Sequence, residues 1–331
     1  MTAQTSELTD FILPVPSDVI DAAERLRNVA IQTPLLQSDR LNALVGGTVF
    51  VKLESLQRTG AFKFRGAYNS MSRLERTRYP QGVLAYSTGN HGQAIATVGK
   101  ILNIPVTVVM PSDAPHVKVE KARNQGATVV LYDRKTESRE GIAARLGASG
   151  GYALIPPGDH PHVIAGQGTA AFEALNALPA NTTQVIIVPC GGGGLAAGTG
   201  LAAEAINSTA EVWAAEPENC DDTRRSLESG TREVNQPTAT SICDALLAST
   251  PAVLPFSINQ RRLSGVVTAD DRTVLNAMRL LFEEFRVVVE PGGAIAIAAL
   301  LANPSMLRGR QALVIASGGN VDPHLFIQAI S

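Results

Sequence analysis

Within Ser55-Leu-Gln-Arg-Thr-Gly-Ala-Phe-Lys-Phe-Arg-Gly66, one lysine stands between two phenylalanines in what reads as the polar start of a helix. Apolar surface on both sides disfavours the ammonium, lowers the pKa of Lys63 and leaves a neutral amine, the state a Schiff-base lysine needs. The same residues also fit an ordinary helical lysine whose stem packs on two rings, so Lys63 gains meaning only from what else the chain supplies. Pro189-Cys-Gly-Gly-Gly-Gly-Leu195 follows an apolar strand and opens a helix. Its glycines leave backbone N–H groups unobstructed at a helix N-terminus, a cradle for phosphate, where the plainer alternative is a tight loop with no ligand. The dinucleotide pattern Gly-x-Gly-x-x-Gly fits poorly, since its ribose-binding acid would fall only approximately at Glu211 or Glu216. Ser87-Thr-Gly-Asn-His-Gly92 sets hydroxyls, an amide and free helix N–H groups at a strand-to-helix junction, where a carboxylate is welcome or where a plain helix cap would sit. Ala316-Ser-Gly-Gly-Asn320 repeats the placement, with Ser317 giving a hydroxyl to a ring nitrogen or capping the last helix.

Such groups need rigid elements behind them. The hydrophobic pattern predicts a helix over 19–29, a strand over 48–53 and a helix over 64–74 that carries the lysine segment. Between 82 and 147 one phrase repeats: strands over 83–87, 105–110 and 128–132 alternate with helices over 92–102, 115–125 and 136–146. Short loops in a β-α alternation predict a small parallel sheet covered by helices. A second set follows, with strands over 184–189, 211–215 and 311–316 and helices over 163–178, 195–206, 270–285 and 293–301. The expected architecture is α/β, two interleaved parallel-sheet lobes: a large domain of residues 1–75 and 160–331 and a small domain of residues 76–159.

With 331 residues and 45% apolar content, the chain can build two packed lobes from Val, Ile, Leu and Ala. A formal charge of −2 gives no electrostatic footprint for nucleic acid or a membrane surface, which leaves small molecules as partners. Cys190, Cys220 and Cys243 are far apart and form no disulfide framework, and no signal peptide or run of about eighteen apolar residues is present. A cytoplasmic, reducing environment is expected.

Together, Thr59-Gly-Ala-Phe-Lys-Phe-Arg-Gly-Ala67, the Ser87-Thr-Gly-Asn-His-Gly92 loop, Val163-Ile-Ala-Gly-Gln-Gly-Thr169, the glycine tetrad, Glu290-Pro-Gly-Gly-Ala-Ile-Ala296 and Ser317-Gly-Gly-Asn320 resemble the pyridoxal-phosphate enzymes of fold type II, the tryptophan synthase β-like fold. More narrowly they resemble the serine racemase and threonine/serine dehydratase family, which includes 3-hydroxyaspartate dehydratases, and the resemblance runs in the family's order from about Pro16 onward. It implies pyridoxal 5'-phosphate joined to Lys63, its phosphate on Gly191, Gly192, Gly193 and Gly194, its 3-oxygen on Asn90, its ring nitrogen facing Ser317 and Phe62 beside the ring. The substrate carboxylate would rest on Ser87, Asn90 and His91, and the freed Lys63 amine would take the α-proton. A neutral hydroxyl opposite the ring nitrogen leaves that nitrogen largely unprotonated, which suits β-elimination. A homodimer is also implied.

Glu216-Pro-Glu-Asn-Cys-Asp-Asp222 resembles the family's divalent-cation site, with Glu216, Asp222 and the carbonyl of Cys220 as ligands to Mg2+ or to Mn2+ or Ca2+ in its place; a solvated acidic helix start is the competing reading. Ser138-Arg-Glu140 resembles the position of an arginine that meets a second carboxylate, so Arg139 points to 3-hydroxyaspartate, unless it is a surface ion-pair member. Racemases of the family carry a serine acid/base where this chain has Thr88, which keeps the hydroxyl for that catalytic role but adds a methyl that puts racemisation in doubt, and Gly158 replaces a bulkier pocket residue, which would widen the pocket toward an aryl-serine. No regulatory extension of the biosynthetic threonine deaminase kind follows Asn320, so isoleucine feedback is not expected. The expected activity is a pyridoxal-phosphate ammonia-lyase, a dehydratase acting on threo-3-hydroxyaspartate, serine or threonine. An amino-acid racemase or phenylserine-type dehydratase on the same fold is the nearest alternative; an NAD-dependent oxidoreductase and a non-catalytic binding protein are more remote.

Overall fold

A computed structural model of the chain describes residues 12–86, 89–114, 116–133, 136–148 and 150–331. The chain opens with α1 (Pro16–Leu26), with Pro16 at its first position, where a missing N–H costs nothing. The two-residue β1 (Leu35–Leu36) and the short α2 (Asp39–Val45) lead into β2 (Thr48–Leu53). Ser38 caps α2 by accepting from the Leu41 N–H at 3.1 Å, and Gly46 ends it in the left-handed region. Next comes α3 (Lys63–Met71), which begins at the lysine itself.

A compact β-α series follows: β3 (Gly82–Tyr86), α4 (Asn90–Leu102), β4 (Val106–Pro111), α5 (His116–Asn124), β5 (Thr128–Tyr132), α6 (Arg139–Ala148) and β6 (Tyr152–Leu154). Its strands form a wholly parallel sheet in the order β5-β4-β3-β6. The chain then runs through α7 (Pro161–Asn176), β7 (Val185–Pro189), α8 (Gly194–Ala205), β8 (Glu211–Pro217), α9 (Asp222–Ser229), α10 (Val253–Arg262), β9 (Gly265–Ala269), α11 (Asp271–Phe285), α12 (Pro291–Ala302), β10 (Gln311–Ala316) and α13 (Pro323–Ile330). The second sheet has the order β1-β2-β10-β7-β8-β9, parallel except for β1 against β2.

Both faces of the larger sheet are covered, and its strands read accordingly: β7 is a continuous Val-Ile-Ile-Val-Pro run, buried throughout. On one face lies α12, apolar all round and buried over most of its length. On the other lie α7 and α8, whose crossing depends on glycine. A Cβ on Gly168 would fall 2.4 Å from the Gly198 carbonyl oxygen, and one on Gly198 would fall 2.4 Å from that of Ile164.

Strands 48–53, 128–132 and 311–316 stand at the predicted bounds. The pattern did not announce β6, three residues long, nor α2, α9, α10, α13 and β9. Pro255 in the first turn of α10 reads as a breaker, although proline is tolerated there.

Beneath α3 lies a buried ionic quartet. Arg65 makes a two-pronged contact with Glu54, at 2.8 Å on each oxygen, and reaches Glu173 at 2.8 Å, while Lys52 meets Glu173 at 2.8 Å and the Thr33 carbonyl at 2.7 Å. Burial alone would lower the Arg65 pKa; Glu54 and Glu173 outweigh it and hold the guanidinium well above its ordinary value. The quartet ties α3 to the end of β2 and to α7, two residues from Lys63.

Candidate active site

Lys63 starts α3 with its side chain turned inward. Its Nζ donates to the Pro157 carbonyl at 2.7 Å and lies 4.9 Å from the centre of the Phe62 ring. Burial pushes its pKa down to about 8, against the opposing charge of Glu290. Pro157 also accepts from Gln167 Nε2 at 3.1 Å, which fixes the 156–160 segment between the lysine and α7.

The glycine tetrad forms the turn from β7 into α8. Gly193 has φ +89°, a conformation only glycine adopts without strain. A Cβ on Gly194 would sit 2.9 Å from Gln167 Oε1 and 3.0 Å from the Gly158 Cα, and one on Gly191 would sit 3.1 Å from the Leu246 Cα. Gln167 Oε1 and Asn259 Oδ1 border this turn, buried and without a hydrogen-bond partner among the described residues. A turn in which a Cβ on Gly191, Gly193 or Gly194 would crowd its neighbours, together with a buried amine of lowered pKa, fits pyridoxal phosphate. Gly158 packs against this turn at the Gly194 backbone.

Asn90 is the first residue of α4, so its amide stands where helix N–H groups lack intrahelical partners. Its Nδ2 donates to Glu290 Oε1 at 2.6 Å and its Oδ1 accepts from Asn320 Nδ2 at 2.8 Å. Ser317 ends buried beyond β10, and its carbonyl accepts the Phe62 N–H at 3.0 Å, laying the Ser317 segment along the lysine segment. The alternative role as a cap for the last helix falls to Asp322, which accepts the His324 N–H at 2.8 Å.

His91 Nε2 lies 2.9 Å from the Ile155 carbonyl oxygen, which can only accept; Nε2 therefore carries the proton. Burial, then the nearby Lys63 charge, push the ring down to about 3, so it is neutral and Nδ1 presents a lone pair, buried and without a partner. The side chain is thus an acceptor, and any anion at this point is served by backbone N–H groups at the start of α4. His160 was not foreseen. Burial and His162, 5.6 Å away ring to ring, push it down to about 4, and its Nδ1 is also buried without a partner. Glu290, Asn320, Gln167 and the Pro157 carbonyl were missed as well, although the first three lie inside motifs whose spacing already stood out.

Glu216, at the end of β8, accepts the Thr223 and Arg224 N–H groups at 3.1 and 3.0 Å and so caps α9. Burial and the neighbouring Asp222 push it up to about 8, and burial pushes Asp222 up to about 6. Asp222 Oδ1 accepts from Asn235 at 2.7 Å, while Oδ2 is buried without a partner. An uncompensated carboxylate oxygen beside a second acid fits a hard cation, with the Cys220 carbonyl two residues before Asp222. Among the described residues no group of three His, Cys, Asp or Glu side chains is placed to hold a metal. Ser87 and Thr88 lie outside the described residues; Arg139 begins α6, and its side chain lies outside the description.

The model of the family described as "pyridoxal-phosphate dependent enzyme" matches residues 26–318. Over 320 residues the chain is 41% identical to the L-threo-3-hydroxyaspartate ammonia-lyase of Saccharomyces cerevisiae, covering 97% of each protein. It is 42% identical over 305 residues to the L-threo-3-hydroxyaspartate ammonia-lyase of a Pseudomonas species, covering 92% of this chain and 95% of that one. The crystal structure of serine racemase from Dictyostelium discoideum superposes with a TM-score of 0.88 at 36% identity, over 93% of this chain and 99% of the other.

Proposed function

The chain belongs to the family of pyridoxal-phosphate dependent enzymes, and within it we propose an ammonia-lyase that eliminates water from a β-hydroxy-α-amino acid, with L-threo-3-hydroxyaspartate as the substrate. The observation that carries this reading is the buried Lys63 amine, with a pKa of about 8, held in a site whose nearly full-length relatives bear that activity in their names.

The bound cofactor supplies an electron sink for the α-carbon. The Gly191, Gly192, Gly193 and Gly194 backbone holds its phosphate, Asn90 its ring oxygen and Ser317 its ring nitrogen. Backbone N–H groups at the start of α4 bind the substrate carboxylate, and Arg139 receives the second carboxylate of the diacid. Lys63 Nζ takes the α-proton: burial keeps the amine neutral enough to accept it, and the charge of Glu290 steadies the ammonium that results. The Pro157 carbonyl aims Nζ. Overall the substrate loses the α-proton and the β-hydroxyl, which together make up one water, and the enamine product takes up a water to give a 2-oxo acid and ammonia. Glu216, Asp222 and the Cys220 carbonyl would hold a divalent cation beside the start of α9, where Thr223 meets Cys190 at 3.4 Å just ahead of the glycine turn. Residues 76–159 form the small domain, against a large domain of 1–75 and 160–331. The protein works in the cytoplasm as a homodimer; no described helix is long and apolar enough to cross a membrane.

Ammonia release from L-threo-3-hydroxyaspartate, serine, threonine and phenylserine tests the reading. The purified protein is expected to absorb in the visible and to turn over the hydroxydiacid best, and Lys63→Ala to lose both band and activity. A colourless protein that stays colourless with added cofactor would sink it. A second reading, amino-acid racemisation, is favoured by the superposition on serine racemase; chiral analysis of recovered serine decides it, enantiomer formation being the supporting result.

A further inference from the structure

Three side chains and one main-chain carbonyl beside Lys63 form a hydrogen-bonded chain whose direction is fixed at both ends. Asn320 Nδ2 donates to the Thr59 carbonyl at 2.7 Å and to Asn90 Oδ1 at 2.8 Å, and Asn90 Nδ2 donates to Glu290 Oε1 at 2.6 Å. A carbonyl can only accept, so Asn320 must turn its NH2 group toward Thr59, and both hydrogens on that nitrogen are then committed. Asn90 must answer with its oxygen. Its own NH2 group is left facing the Glu290 carboxylate, with one N–H to spare.

We propose that Asn320 is a positioning residue that dictates which end of the Asn90 amide, the donor and not the acceptor, is offered to the cofactor's ring oxygen. This rests on the reading that Asn90 contacts the cofactor. The two ends of an amide are nearly the same size and only their partners tell them apart; Glu290, accepting from Asn90 on the far side, favours the same orientation that Asn320 sets.

The surroundings immobilise Asn320. Thr59 has φ +64°, a left-handed conformation strained for a β-branched residue, and the bond from Asn320 to its carbonyl helps to keep it there. The next residue leaves no room for a side chain: a Cβ on Gly60 would sit 2.9 Å from Asn320 Oδ1. Gly319 N–H donates to the Gly60 carbonyl at 2.8 Å, and Ala61 and Gly318 form an antiparallel bridge, so the Asn320 segment and the lysine segment are laced together. Asn90 reaches this assembly from α4, on the smaller sheet, whereas Thr59, Glu290 and Asn320 belong to segments around the larger one.

The test is a double-mutant cycle on the holoenzyme, read by the cofactor dissociation constant and by the pH midpoint of the visible band. Asn320→Asp is nearly isosteric but replaces both donors with acceptors, which turns the Asn90 oxygen away. It is expected to weaken cofactor binding by about tenfold and to raise the midpoint, since an N–H donor favours the ionised ring oxygen. Asn90→Ala should do the same, and the double variant should be within about twofold of Asn90→Ala alone. If the two losses multiply, Asn320 acts elsewhere and the proposal is overturned. If Asn90→Ala leaves both readouts unchanged, the contact between Asn90 and the cofactor fails, and the proposal falls with it. Far-UV circular dichroism checks the fold; should Asn320→Asp not fold, Asn320→Leu, of similar size and without a donor, takes its place in the cycle, with the same two outcomes.

Discussion

At the scale of single residues the site is governed by desolvation. Lys63 has a folded pKa of about 8 against an ordinary 10.5, so between these values the unfolded chain binds the extra proton and stability rises with pH. For the cofactor-free protein this amounts to roughly 3 kcal/mol, absent below about pH 8 and complete above about pH 10.5. Urea unfolding of that protein across pH 7.5–10.5 is expected to show the rise relative to Lys63→Met, which lacks the group; parallel pH profiles would contradict it. The same neutral fraction makes capture of added cofactor faster from pH 6.5 to 9. His91 teaches a different lesson. Its motif foretold an anion ligand, but the tautomer forced by the Ile155 carbonyl makes its side chain an acceptor. A sequence shows that a histidine is present; it does not show which nitrogen a distant carbonyl has claimed.

Elements place these residues, and the junctions between them fix where they stand. The quartet under α3 is closed, with Lys52, Glu54 and Arg65 almost wholly buried. Removing one member leaves an uncompensated buried charge, so Glu54→Ala is expected to cost about 3–5 kcal/mol in a urea titration. It should lower cofactor affinity as well, because α3 begins with Lys63. Replacing Glu54 and Arg65 together with apolar residues should be much milder. The α7–α8 crossing is tight enough that Gly198→Ala must move backbone, a cost of about 1–3 kcal/mol. As α8 starts at the glycine turn, the variant should bind cofactor more weakly than its loss of stability alone explains, which equilibrium dialysis would measure. At the junction of β8 and α9, added Mg2+ is expected to raise the thermal midpoint of the wild type but not of Asp222→Asn, and a chelator to reverse the gain. Equal gains in both proteins would remove Asp222 from the cation site.

Across the whole molecule, the sequence made the β-α alternation legible because both sheets are mostly parallel and buried, and such strands are continuous apolar runs. The residues of the lysine, glycine and serine motifs were legible for a similar reason: each stands at the junction of a strand and a helix. What could not be read was pairing at a distance. The acceptor for Lys63 is a main-chain carbonyl 94 positions away, a group every residue carries, and the partners of Asn90 are 200 and 230 positions away. Short or polar elements such as β6 and α9 were equally silent, because three residues show no period and α9 has few apolar side chains. The larger sheet has one more consequence, which concerns time. β2 lies beside β10, Thr48 opposite Gln311, so a strand that leaves the ribosome early must wait for one made more than two hundred residues later. Until then β2 is an exposed edge strand at risk of pairing with a neighbouring nascent chain. The Lys63 segment likewise waits for Ser317 and Asn320 to be synthesised. Cofactor attachment during synthesis is therefore expected only near the end of translation, and chains stalled before residue 311 should be held by chaperones rather than turn yellow.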